Sequence, residues 1–422
     1  MRFDDLSSIL SHATSGAHSA TYRALYGMTP DEPPRRIRSI GEWRALPPLT
    51  KDALLSSPMR DRLYAPLSEI DHIRASSGTS GKGVLFSPRT HVRGMEYRLG
   101  FHDFKRPFIA FTVPLMPHWH ESFQKEHGLD PRVIAYDPKH PKAIARLARA
   151  TGADGMSVFV FHITAIGEEM KRLGVEQQMK FIEITGETCS RSQFEYLRRT
   201  FPSATIVQSY NSSEVEDAHI GMPCKPMDGT EPRAVYHPKK THFLELIDPE
   251  TGEPIEPRAG AEGDLLITAY PGQPCAFPLI RFRIGDTVRV VDDACPHGAW
   301  SFTVLGRTDL DFKKLPGGML RAEAVARALA RFPGRVSDRF ELHCHDRLTP
   351  AGAKMEPVLH VECGAEEDLE RLALDVAAEI LVAPSFSYAQ GVAEGRYLPL
   401  VCRRIEQPLT GKTRRITVHT AD

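Results

Sequence analysis

At 422 residues the chain is longer than one ordinary domain and long enough for a large unit plus a small one. Hydrophobic residues make up 41% and charged residues 25%, and 53 Lys+Arg against 54 Asp+Glu leave a formal net charge of −1, which removes the electrostatic case for a general nucleic-acid binder or a polybasic membrane protein. No apolar run reaches the roughly 18 residues of a membrane helix, the N-terminal residues lack a charged-then-apolar leader pattern, and seven widely spaced cysteines do not read as a disulfide framework; the expectation is a reduced, cytoplasmic protein without nucleic-acid or membrane partners.

The first 70 residues read as a helical lead-in broken by Pro33-Pro34 and Pro47-Pro48. Strand-length apolar runs then appear at 108–113, 156–161, 181–184 and 205–207. Between them, Ile144, Leu147 and Ala148 share a helical face, as do Ile166, Met170 and Leu173, and then Phe194, Leu197 and Phe201. Ser190 with Gln193 fits a capping box at the start of that last helix. Alternating strands and helices at this pitch predict a mainly parallel sheet covered by helices. From about 235 to 305 the stretches HFLELIDPETGEP, GDLLITAY and DTVRVVDD predict a β-rich subdomain. Helices are predicted over 322–332 and 366–380, with strands between and a basic tail, which makes a small α+β domain. The fold class is therefore α/β, with a large N-terminal domain over 1–306 and a small C-terminal domain over 307–422. The triplet His343-Cys344-His345 alternates faces along a predicted strand and reads as structural.

The most informative local stretch runs from Arg74 to Gly83 and contains Ser76, Ser77, Gly78, Thr79, Ser80, Gly81 and Lys82. Glycines and small residues let backbone N–H groups approach phosphate oxygens, the hydroxyls add donors, and Lys82 adds positive charge. It is not a Walker A loop, because GxxxxGK[ST] is absent.

Further segments follow in a fixed order: Gly186-Glu187, Tyr210-Asn211-Ser212-Ser213-Glu214, Arg281-Phe282-Arg283-Ile284-Gly285-Asp286, Gly306-Arg307-Thr308-Asp309 and Leu409-Thr410-Gly411-Lys412. Together with the loop they resemble the adenylate-forming superfamily of acyl-CoA synthetases, luciferases and peptide-synthetase adenylation domains. The resemblance is strongest to the phenylacetate–CoA ligase branch, whose segments read ASSGTTGK, GAEP, YG-x-SE and YR-x-GD. The lead-in stretches Ala20-Thr21-Tyr22-Arg23 and Leu46-Pro47-Pro48-Leu49-Thr50-Lys51, and the stretch from His242 to Pro249, resemble the same branch. Ser80 stands where the branch has a second threonine, Phe282 where it has tyrosine, and Lys82-Gly83 lacks the usual following proline.

The resemblance implies a two-step enzyme that joins an acid to AMP, releases pyrophosphate, and then passes the acyl group to a nucleophile. It implies that residues 76–82 cradle the β- and γ-phosphates of ATP, that Glu214 holds Mg²⁺ with Thr79 close by, and that Asp286 accepts hydrogen bonds from the ribose. Arg307 is implied at the ribose or phosphate, and Gly186, Glu187, Tyr210 and Asn211 around the nucleotide base, with Tyr210 stacked on adenine. Lys412, the only lysine after Lys354, is the implied adenylating lysine, and Asp309 is the implied hinge of a mobile small domain.

In the branch an acid-pocket segment follows the first sheet strand; here it holds His118, His120 and Phe123, with His162 as a further wall. Its polarity favours a substrate with a hydrogen-bonding group, because unpaired buried polar groups penalise a bare analogue. Zinc-bearing members of the branch resemble this chain at Cys224, His237, Cys295 and His297, a Cys₂His₂ set, with His242 as a rival to His237. The expected function is ATP-dependent adenylation of a small aryl carboxylic acid and transfer to CoA. The alternatives are transfer to an amine or carrier protein, and activation of nitrite for nitrogen–nitrogen bond formation on an aryl amine. The branch also implies a homodimer.

Overall fold

Parallel strand pairing is concentrated in one stretch of the chain. In the computed structural model, which describes residues 3–15, 19–70, 72–75, 86–89, 100–103, 105–111, 133–136, 140–215, 219–229, 233–269, 275–297, 300–307, 312–405 and 416–419, five strands form an all-parallel sheet. Their order across the sheet is Val133–Tyr136, Phe108–Phe111, Gly155–Phe159, Phe181–Thr185 and Thr205–Gln208. Such strands need cover on both faces and read as near-continuous apolar runs; every residue of Phe181–Thr185 is buried.

Three helices supply cover. Pro141–Thr151 starts with proline in its first turn, where the missing N–H costs nothing, and ends at Gly152 with φ 65°. Ile163–Leu173 ends likewise at Gly174, φ 66°. Arg191–Thr200 carries the predicted capping box, with Ser190 accepting from the Gln193 N–H and Gln193 reaching back to the Ser190 N–H. Ile144, Ala148, Ile166, Met170 and Leu197 meet Met156, Val158, Ile182 and Ile184 in one apolar cluster.

The larger sheet is antiparallel throughout and has eight strands. It contains Tyr210–Asn211, His219–Pro223, Tyr236–Pro238, His242–Ile247, Pro254–Ile255, Glu262–Ala269, Leu279–Asp292 and Ser301–Arg307. The lead-in packs on it: Leu6, Leu10, Trp43 and Leu49 share a cluster with Leu265, Ile280, Phe282 and Val288. Leu49 is bonded into the sheet itself, its N–H donating to Arg281 O and its carbonyl accepting from Arg283 N.

Residues beyond 312 build a separate apolar core. A four-stranded sheet, in the order Val401–Arg404, Gly352–Cys363, Val336–Thr349, Ile416–His419, packs on the helices Ala322–Leu329, Leu369–Glu379 and Tyr388–Ala393. The predicted helix over 322–332 ends at Leu329, four residues before the break at Pro333-Gly334. The one predicted over 366–380 starts at Leu369, because Asp368 accepts from the N–H groups of Glu370 and Arg371. Among the described residues no helix is long and apolar enough to cross a membrane.

The triplet at 343–345 alternates as predicted, with Cys344 in the core. On the other face His343 Nδ1 lies 2.7 Å from His419 Nε2, and the rings of His345 and His419 stack at 4.4 Å. His360 meets His343 edge-on at 4.8 Å. Burial first, then neighbouring positive charge, holds His345, His360 and His419 below the ordinary imidazole value. Arg347 and Arg403 add to that lowering, and Glu341 and Glu356 oppose it. A folded imidazole below its unfolded value binds fewer protons than the unfolded chain, so stability is full above the unfolded value of about 6.5 and is lost as pH falls below it. Hydrogen exchange of residues 336–363, corrected for intrinsic rates, should therefore accelerate as pH drops from about 6.5 to about 5, and His345→Gln with His419→Gln should flatten that dependence. An unchanged profile in the double variant contradicts the assignment.

Candidate functional site

The candidate site forms where the end of the parallel sheet meets the antiparallel one. Strand Phe181–Thr185 ends in Gly186, with φ 94°. A Cβ there would lie 2.6 Å from the Phe159 ring, so both the left-handed backbone and the close approach demand glycine. Gln208 staples this turn: its Nε2 donates to Glu187 O at 2.7 Å and its Oε1 accepts from Cys189 N at 3.2 Å. Gln208 carries no motif signature, and sequence reasoning passes over it.

Tyr210 and Asp286 are brought together across the sheet. The Tyr210 hydroxyl donates to Asp286 Oδ2 at 2.5 Å, and both side chains are buried. The Tyr210 ring packs on Tyr236 and Phe302 with centroids at 5.5 and 6.0 Å. Asp286 pairs across the ladder with Arg307, next to a register shift at Thr287/Val288. Asn211 Nδ2 donates to Thr185 Oγ1 at 3.3 Å and Ser209 Oγ at 3.2 Å, which ties the segment after Tyr210 to the parallel sheet.

Glu214 is held by three donors. Its Oε2 accepts from Ser212 Oγ at 2.5 Å and Ser213 Oγ at 3.1 Å, and its Oε1 pairs with Lys51 Nζ at 3.0 Å. The pair is shielded, with side-chain exposures of 13% and 11%. Lys51 begins the helix Lys51–Ser56, capped by Thr50, two residues after Leu49 is bonded to the sheet. The sequence marks Lys51 only as part of the lead-in stretch and gives it no role. An oxygen-only set of one carboxylate and two hydroxyls, already drawing a cation, fits a hard divalent ion such as Mg²⁺.

His162 is buried at the start of helix Ile163–Leu173, its ring 4.7 Å from Phe161. Ser76, Ser77, Gly78, Thr79, Ser80, Gly81, Lys82, His118, His120, Phe123, Asp309 and Lys412 lie outside the described residues. The strands His72–Ala75 and Phe86–Arg89, which flank the loop, pair antiparallel.

Away from this site, Cys224, His237, Cys295 and His297 converge, with one donor atom from each inside a 4.8 Å group. Cys224 Sγ lies 3.2 Å from His237 Nδ1 and 3.7 Å from Cys295 Sγ. Burial, with Cys295 beside it, pushes the Cys224 thiol up to about 12. Burial, with His297 beside it, pushes His237 down to about 4. His242 is committed elsewhere: its Nε2 lies 2.8 Å from His219 O and its Nδ1 3.0 Å from Thr241 Oγ1. The structure thus separates the two rivals, and only His237 stands with the cysteines.

A shielded ion pair broken on one side leaves an uncompensated charge. Lys51→Met should lower stability to denaturant by about 2 kcal/mol at neutral pH, and adding Glu214→Gln should recover most of it. Simple addition of the two single effects would mean that the pair is not coupled.

No family model matches the chain. Phenylacetate-coenzyme A ligase of Escherichia coli (strain K12) is 23% identical over 296 residues, which are 67% of this chain and 64% of that protein. Phenylacetate-coenzyme A ligase of Thermus thermophilus is 29% identical over 154 residues, 34% of this chain and 32% of that one. The chain thus matches less than two thirds of the length of these curated relatives. Among solved structures, 2-hydroxyisobutyryl-CoA ligase in complex with 2-HIB-AMP and CoA in the thioesterification state has a TM-score of 0.64 at 15% identity, covering 99% of this chain and 88% of that one. The same ligase in an open conformation gives 0.57 at 15% identity, covering 98% and 90%. The chain is thus similar in sequence to phenylacetate-coenzyme A ligases over part of their length, and it shares the fold of 2-hydroxyisobutyryl-CoA ligase.

Proposed function

We propose that the chain is an ATP-dependent adenylate-forming ligase that activates a small carboxylic acid, aryl in character, and passes it to CoA. The observation that supports the reading is the Tyr210–Asp286 contact, with Asn211 tied to Thr185 at the end of the strand before Gly186-Glu187 and the shielded Glu214 three residues further on. A carboxylate resists attack because its leaving oxygen would depart as oxide, and joining it to AMP supplies a better leaving group. Attack on the α-phosphate gathers negative charge, so the protein's task is positioning plus electrostatic stabilisation.

Asp286, oriented by the Tyr210 hydroxyl, accepts from the ribose hydroxyls. Glu214, oriented by Ser212 and Ser213, holds Mg²⁺, which when bound neutralises phosphate charge. Residues 76–82 cradle the phosphates, with Thr79 next to the ion, and Arg307 reaches the ribose or phosphate. His118, His120, Phe123 and His162 line the acid pocket. Lys412 stabilises the charge that develops during adenylation. Residues 1–306 form the nucleotide- and acid-binding domain, and 307–422 the mobile one, turning about Asp309.

Pyrophosphate release measured across a panel of acids, with and without CoA, tests the reading directly. CoA-dependent consumption of the acyl-adenylate is the expected result; transfer to an amine or carrier alone, or activity with nitrite alone, replaces it with one of the alternatives. Lys412→Ala should cut pyrophosphate release by roughly 10²-fold while consumption of a supplied acyl-adenylate survives better. Equal loss of both steps contradicts the lysine and hinge roles.

We also propose that Cys224, His237, Cys295 and His297 hold a structural zinc ion. Two thiol and two imidazole donors make a closed tetrahedral set with no position left for substrate. Protein purified without added metal should carry close to one equivalent of zinc, and a chelator or Cys295→Ser should lower its thermal midpoint. Less than about a tenth of an equivalent, with no response to the chelator, removes the site.

A further inference from the structure

We propose that the outer face of the four-stranded C-terminal sheet carries a further metal site, in which His343 Nδ1 and His419 Nε2 chelate a divalent first-row ion of the copper or nickel kind. The triplet His343-Cys344-His345 reads as structural in the sequence, and Cys344 fills that role in the core. The strand register gathers imidazoles on the opposite face. His345 pairs with His419 where Val336–Thr349 runs parallel to Ile416–His419, and Glu341 pairs with His360 on the antiparallel neighbour Gly352–Cys363. Four imidazoles from three strands thus meet on one face. His237 of the Cys₂His₂ group lies in the other, eight-stranded sheet, so the two sets are independent.

Two donor nitrogens already converge, with His343 Nδ1 2.7 Å from His419 Nε2. Imidazole nitrogens about 2.0–2.1 Å from an ion stand about 2.9 Å apart when they bind at right angles, and about 3.3 Å apart when they bind tetrahedrally. The observed spacing therefore suits the tetragonal preference of Cu²⁺ and Ni²⁺ better than tetrahedral Zn²⁺. The pair is also prepared from behind. His343 Nε2 lies 3.4 Å from Glu341 Oε2. A carboxylate only accepts, so the ring proton sits on Nε2 and the Nδ1 lone pair turns toward His419. A carboxylate behind a ligating imidazole fixes its tautomer in this way. In the metal-free pair the His419 Nε2–H donates to that lone pair. A bound ion takes the place of this proton, which moves to His419 Nδ1, and both rings stay neutral.

The other two rings hold the pair in place. His345 lies flat on His419 at 4.4 Å, and His360 meets His343 edge-on at 4.8 Å. The His343 side chain keeps an exposure of 25%, which leaves room for an ion with its waters. The surrounding charges favour a cation over an anion. Arg347 is bound by Glu356 at 2.9 Å. Arg403 stands on Val401–Arg404, at the opposite edge of the sheet from His419. The carboxylate in contact with the pair is Glu341. The chelate joins the edge strand Ile416–His419 to the strand Val336–Thr349 beside it, so a bound ion pins that edge.

The test titrates the untagged full chain, supplied with one equivalent of zinc, with Ni²⁺ in a calorimeter. One further equivalent should bind, and His343→Gln or His419→Gln should each weaken it by about 30-fold or more. Glu341→Gln should weaken it about tenfold through the His343 tautomer, and His345→Gln or His360→Gln by less than about threefold, since these rings only pack. The difference between the parent and the double variant His343→Gln with His419→Gln reads this site whatever the Cys224 group holds. In the parent, saturating Ni²⁺ should slow hydrogen exchange of residues 416–419 about tenfold, because the ion binds the paired strands and not the opened ones. No further equivalent, binding that persists in the double variant, equal loss in His345→Gln, or unchanged exchange at 416–419 each overturns the site.

Discussion

The buried guanidinium of Arg281 is the constraint on which the placement of the site depends. Its side chain is almost fully enclosed, and its Nε donates to Glu245 Oε2 at 3.2 Å. Its Nη1 donates to the carbonyls of Arg44 and Leu46, which belong to the lead-in. Its backbone stands at φ 46°, the only positive φ at a non-glycine among the described residues. Such a conformation costs on the order of 1–3 kcal/mol and persists only where surroundings over-determine it. Here they do: Thr268 Oγ1 accepts from the Arg281 N–H, the Leu49 N–H donates to the Arg281 carbonyl, and Trp43 Nε1 donates to the same Glu245 oxygen. Burial pushes the Glu245 carboxyl up, against Arg281 and Trp43, which hold it down.

From that knot the rest follows along two short paths. Further along the same strand lies Asp286, whose carboxylate accepts from the Tyr210 hydroxyl. In the lead-in, Leu49 is bonded to the strand on both sides of its peptide, and two residues later Lys51 reaches Glu214. Tyr22 strengthens the strap: its hydroxyl donates to Pro278 O at 2.6 Å and accepts from Ile280 N at 2.9 Å. A helical lead-in that looks dispensable in sequence is therefore bonded to the strand that carries Asp286 and supplies the lysine that meets Glu214.

What was legible in the sequence is what local chemistry dictates. The parallel strands announced themselves as apolar runs, and the capping box at Ser190/Gln193 as a spacing. The β-rich stretch announced itself through short strand-like runs separated by turn residues, but not that its sheet would be the larger one and wholly antiparallel, since pairing partners are chosen by tertiary contact. Helix ends were misplaced by a few residues because the caps compete: Asp368 captures two N–H groups and delays the start to Leu369. The choice between His237 and His242 needed coordinates, because the two lie close together in sequence and only the strand register decides which faces Cys224. Lys51, Gln208 and Lys313 stayed silent, since each acts on a residue far away in the chain and on no pattern of its own.

Three carboxylates, Glu214, Asp286 and Glu187, are each answered from a different part of the molecule. Glu214 is met by Lys51 from the lead-in, Asp286 by Tyr210 from the sheet, and Glu187 by Lys313 and Lys314 from the C-terminal unit. A shielded carboxylate stripped of its donors is strongly penalised, so each of the three contacts holds together segments that lie far apart in sequence.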